Sequence, residues 1–120
     1  MRALLLVDHG SRRAAANEML AEVASLVKAQ EPELPVYVAH MELAEPTIAQ
    51  GLQACVDGGA TAVVVVPYFL SHGRHVTEDV PRLVAEAAAC HPGVSVEVAP
   101  PLGLHPLLAE LVLHRAGLRK

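Results

Sequence analysis

Aromatic side chains are almost missing from this chain of 120 residues, which has no tryptophan, two tyrosines (Tyr37 and Tyr68) and one phenylalanine (Phe69). So few rings cannot build the stacking platform that single-stranded nucleic acid needs. Positive charge is scarce as well. Nine Lys and Arg against thirteen Asp and Glu leave a formal net charge of −4, with no basic cluster, so a phosphate-backbone footprint is not expected. Cysteine occurs only at Cys55 and Cys90, far apart and outside any C-x-x-C pattern, and both read as reduced packing residues. No apolar run approaches the roughly 20 residues that span a bilayer. The N-terminal run is cut off by Asp8-His9 and is too short for a secretory signal, so a cytoplasmic protein with no membrane partner is expected. Internal repeats, low-complexity stretches and linkers are all absent.

Aliphatic residues fill the space. The chain is 52% hydrophobic and only 18% charged, which suits a sheet buried on both faces and argues against disorder. The length allows one domain, residues 1–120, with no room for a second core. Buried-strand runs at 3–7 and 61–66 alternate with helical patterns, beginning with residues 14–30, where Met19, Leu20, Val23, Leu26 and Val27 recur at helical spacing. A second strand is expected over 35–41. A helix follows with Pro46 in its first turn, running to about Val56 and closed by Gly58-Gly59. Another helix over 81–90, a strand over 94–98 and a last helix over 106–118 complete the pattern. Such β-α alternation predicts an α/β fold: a single-domain, parallel, four-stranded, flavodoxin-like sheet of order 2-1-3-4, with helices on both faces. That order reverses between the first and third strands, so a ligand crevice should open at their carboxyl ends.

Two histidine-bearing segments leave those strand ends. One is Asp8-His9-Gly10-Ser11-Arg12; the other is Ser71-His72-Gly73-Arg74-His75, inside a connection over 67–80 that is long for a βα loop. A tight turn explains Gly10 by a positive φ and Ser11 as a helix cap, but it leaves His9 unexplained. Imidazoles converging on one crevice suggest metal or proton chemistry. His75 is the better candidate for direct chemistry and His72 for a loop residue at the ligand's edge. Asp79, four residues beyond His75, either fixes that imidazole's tautomer or caps the following helix. Glu42, after the second strand, is a candidate ligand or proton acceptor, whereas Glu45 reads as N-terminal helix charge. Arg12, Arg13 and Arg74 would make a local anion-binding rim in an acidic protein. His40, His91, His105 and His114 receive no role, with His91 and His105 read as turn or cap residues before proline.

These motifs resemble the small form of the sirohydrochlorin chelatases, the anaerobic-type cobaltochelatases and ferrochelatases of cobalamin and sirohaem synthesis. The matching blocks are Leu6-Val7-Asp8-His9-Gly10-Ser11-Arg12, Met41-Glu42-Leu43-Ala44-Glu45-Pro46, the stretch from Pro67 to Pro81 with its G-x-H, and Pro101-Leu102-Gly103-Leu104-His105-Pro106. They cover nearly the whole chain. The resemblance implies that His9 and His75 bind a divalent metal (cobalt first, then iron or nickel) and accept pyrrole protons. It also implies a tetrapyrrole substrate, no tightly bound cofactor, and a symmetric homodimer with a shared cleft. Ser11, Arg12, Arg74, Glu42 and His72 would meet the substrate, with Asp79 behind His75. The chain departs from the pattern at Asp8, where many relatives carry glycine. An acid there could raise the basicity of His9, attract the cation, or disfavour an anionic substrate.

The chemistry fits. Metal insertion needs a bent ring, removal of two pyrrole protons and delivery of a cation, and a neutral imidazole can do the last two. Two rivals remain: a non-enzymatic metal carrier using His9, His72 and His75, and a histidine phosphatase, whose R-H-G strand end is contradicted by Asp8.

Overall fold

The apolar runs of the sequence become the strands of one parallel sheet. The computed structural model describes residues 1–71 and 73–119, with the side chain of His75 outside the described set. In chain order the elements are β1 (Arg2–Asp8), α1 (Ala14–Gln30), β2 (Val36–His40), α2 (Ile48–Asp57), β3 (Ala62–Pro67), a π-helical turn (His75–Asp79), α3 (Val80–Ala88), β4 (Ser95–Val98) and α4 (Pro106–Arg115). The sheet order is β2-β1-β3-β4 with every pair parallel, as the alternation predicted. Parallel neighbours need crossovers, and the helices supply them.

Alternation along the strands sorts the core into two layers. Ala3, Leu5 and Val7 of β1, with Val63 and Val65 of β3, pack with Ile48, Leu52 and Cys55 of α2 and Val80, Val84 and Ala87 of α3. Leu6 packs into the other layer, with Leu20 and Ala24 of α1. Burial of Cys55 pushes its thiol up from 9.0 to about 11, in keeping with a packing role, while Cys90 is exposed and free.

Four expectations need correction. α2 starts at Ile48 because Thr47 and Gln50 form a reciprocal capping box, so Pro46 precedes the cap instead of lying in the first turn. The 67–80 connection is less loop-like than expected: a helical path begins by His75, not at Pro81, and runs through the π-helical turn into α3. Along α1, Leu20 and Ala24 are buried whereas Met19 and Leu26 stay exposed. That helix packs chiefly on β2 and β1, a narrower contact than the expected stripe supposed. α4 ends at Arg115, short of the expected 118, and none of its residues is buried, so Leu107, Leu111 and Val112 face solvent. His105 caps it, its Nδ1 accepting from the Leu107 N–H at 3.1 Å. Among the described residues no helix is long and apolar enough to cross a membrane.

Candidate functional site

Register places the site. β1 and β2 run in parallel until Asp8 pairs with His40, the last residue of each strand. Pairing continues into the loops, where the Met41 N–H donates to the Asp8 carbonyl at 2.9 Å and the Glu42 N–H to the His9 carbonyl at 3.0 Å. Two acid–imidazole pairs result, with their polarity exchanged between the strands. The His40 Nδ1 lies 2.5 Å from Asp8 Oδ1, and the His40 residue is only 2% exposed. One step further out, His9 Nε2 lies 3.0 Å from Glu42 Oε1, with the two side chains 41% and 53% exposed. The inner pair is part of the fold, and the outer one meets solvent.

Gly10 makes this approach feasible. Its φ of +94° is costly for any residue with a side chain. A Cβ there would also overlap the Glu42 carbonyl oxygen and press on His40 Cβ at 3.1 Å.

Oxygen acceptors face both nitrogens of His9, because Nδ1 lies 3.2 Å from the Gly10 carbonyl. A ring carrying two N–H groups satisfies both acceptors, and a ring carrying one satisfies only one. The arrangement therefore suits a histidine that receives a proton and then has to be held. If Glu42 swings off Nε2, imidazole and carboxylate become neighbouring donors suited to a borderline divalent cation.

The other sequence candidates divide. Ser11 does not cap α1; Arg13 occupies the N-cap with no side-chain bond, and Ser11 Oγ instead accepts from the Arg13 N–H at 3.0 Å. Asn17, which the sequence reading overlooked, pins Ser11 by accepting from its N–H at 2.9 Å and donating to its carbonyl at 2.7 Å. Its signal was a polar, turn-favouring residue early in an otherwise good helix. Arg12, Arg13 and Arg74 are all exposed, with Arg74 4.0 Å from Glu78. Glu45 lies ahead of the Thr47 cap, outside the first turn of α2 where its charge was expected, and accepts from the Gln50 side chain at 3.0 Å. Asp79 takes the N-cap position of α3 in helical conformation without a side-chain cap bond, and it lies 3.7 Å from Arg82. The capping reading of Asp79 is thus overturned. His72 and the His75 side chain lie outside the described residues. The backbone of His75 opens the π-helical turn that follows β3, the other neighbour of β1. Among the described residues no group of three His, Cys, Asp or Glu converges as a metal site.

At the carboxyl end of β3, an apolar cavity of about 570 Å³ is lined by Tyr68, Phe69 and Leu70 together with Leu104, Leu108 and Val112.

Fold and site together define a doubly covered parallel α/β protein whose carboxylate–imidazole pairs sit at the carboxyl ends of β1 and β2, with β1 also bordering the switch point. The chain belongs to the CbiX family, whose model matches residues 3–117. It is 46% identical to the chloroplastic sirohydrochlorin ferrochelatase of Arabidopsis thaliana over 112 residues, covering 93% of this chain and 50% of that protein. It is 32% identical to the sirohydrochlorin cobaltochelatase of Methanococcoides burtonii over 121 residues, covering 94% of this chain and 92% of that one. The solved sirohydrochlorin chelatase SirB from Bacillus subtilis subspecies spizizenii, in complex with cobalt, superposes with a TM-score of 0.88 at 34% identity, over 97% of this chain and 50% of that one. The chain thus spans about half the length of the Arabidopsis and Bacillus relatives.

Proposed function

We propose that residues 1–120 act as one chelatase-like domain that inserts a divalent metal, cobalt first and iron or nickel as alternatives, into sirohydrochlorin. The metal is a substrate, and the reading includes no tightly bound cofactor. The observation that carries it is the His9–Glu42 pair, 3.0 Å apart at the carboxyl end of β1. The names of the Arabidopsis, Methanococcoides and Bacillus relatives support the same chemistry. In this reading His9 and His75 hold the cation loosely and take the two pyrrole protons, leaving coordination positions open for the macrocycle. Each insertion consumes one divalent cation and releases two protons. Glu42 balances the charged His9 or joins it on the metal. In the same reading Ser11, Arg12, Arg74 and His72 would meet the substrate's carboxylates, and Asp79 would orient His75.

A homodimer with a shared cleft belongs to the same proposal. Its support is α4, an apolar helix with no buried residue beside the Tyr68–Leu70 cavity, next along the chain from the Ser71-to-His75 segment. A second copy would cover that surface and widen the crevice for a macrocycle. The setting proposed is the cytoplasm, in cobalamin or sirohaem synthesis.

A spectral titration with sirohydrochlorin, with and without cobalt, tests the reading. A chelatase changes the absorbance faster than the spontaneous reaction. A mere metal carrier binds cobalt and leaves the rate unaltered.

A further inference from the structure

The Asp8–His40 pair has no place in the proton and metal steps above, yet it occupies the root of the site. His40 is almost wholly buried, so it cannot reach a macrocycle. Its backbone N–H donates to the Pro46 carbonyl at 2.8 Å, and it bridges to Thr47 in parallel fashion, so the turn carrying Glu42 starts and returns at this residue. Asp8 immediately precedes His9. The 2.5 Å bond from His40 Nδ1 to Asp8 Oδ1 therefore ties the loop that carries the base to the turn that carries its acid partner. The His9 loop also passes close by His40, since a Cβ added at Gly10 would come within 3.1 Å of His40 Cβ.

We infer that Asp8 and His40 are positioning residues: their hydrogen bond sets the His9–Glu42 geometry, and the Asp8 carboxylate acts through His40 and not as a lure for the cation. The kinetic side of this inference rests on the chelatase reading; the geometric side does not. Conserving the bond matters more than conserving the charge. An asparagine oxygen at position 8 can still accept from His40 Nδ1, whereas alanine leaves a buried imidazole nitrogen without its partner.

Asp8→Ala and Asp8→Asn are compared with the unaltered protein by steady-state cobalt insertion, and by long-range 1H–15N NMR of the His9 ring without substrate. In Asp8→Ala we expect kcat to fall about 10–100-fold with KM unchanged, and the His9 ring signals to shift or broaden. Asp8→Asn recovers most of both losses. A folded Asp8→Ala with unchanged kcat or unchanged ring signals overturns the inference, as does an Asp8→Asn variant as defective as the alanine. Should Asp8→Ala not fold, Asp8→Asn decides alone: native ring signals uphold the positioning role, and altered ones refute it. An unaltered protein without chelatase activity removes the function proposed above, while the ring signals still decide the positioning role.

Discussion

His9 and Glu42 are 33 positions apart in sequence and 3.0 Å apart in space, brought together by the parallel register of β1 with β2 and the loop hydrogen bonds that extend it. Charge and shape at this pair separate by substitution. Glu42→Gln keeps the outline and removes the acid that balances a protonated His9, so cobalt insertion should slow by about 10–100-fold. Initial rates at saturating sirohydrochlorin check this, and an unchanged rate would take Glu42 out of the mechanism.

Gly10→Ala should damage stability and activity together. A positive φ on alanine costs roughly 1–3 kcal/mol before any clash is counted. The added Cβ meets the Glu42 carbonyl, so relaxation has to move the turn that carries Glu42. Urea unfolding should show a lower midpoint with an unchanged slope; a midpoint equal to that of the unaltered protein contradicts the close approach.

The two thiols should part company with pH. Burial holds the folded Cys55 thiol near 11 against 9.0 when unfolded, so the unfolded state sheds its proton first. Stability from this group is fully present below pH 9.0 and is lost as pH rises toward about 11, at up to roughly 1.4 kcal/mol per pH unit. Exposed Cys90 should react with a thiol reagent at pH 8 while Cys55 waits for unfolding. Equal labelling rates would contradict this burial.

The exposed apolar face of α4 predicts self-association. Leu107→Glu with Val112→Glu should shift sedimentation toward the monomer without loss of helix content, since neither side chain is part of the core. An unaltered oligomeric state would place the interface elsewhere.

How far the sequence carried this picture depended on the kind of signal. Strands such as Leu4-Leu5-Leu6-Val7 and Ala62 to Val66 are unbroken because both sheet faces are covered, which marks them as buried strands, and their alternation with helices points to the strand order. That His9 and Glu42 come to one sheet edge was legible because each follows the carboxyl end of one of two neighbouring strands. His40 was passed over. A histidine at a strand end looks like an accident of the boundary until register sets it opposite Asp8, and register is a tertiary fact. Asn17 escaped because its partner Ser11 lies six residues back, outside any helical repeat, and the early start of the α3 helical path because it rests on local bonds to the Gly73 carbonyl that apolar periodicity does not report.

X-ray absorption of cobalt bound to the protein without tetrapyrrole tests the central claim, that the histidines at 9 and 75 grip one ion. The account predicts two imidazole nitrogens on the metal in the unaltered protein and one in each of His9→Ala and His75→Ala. An imidazole count that stays the same in either variant would contradict it.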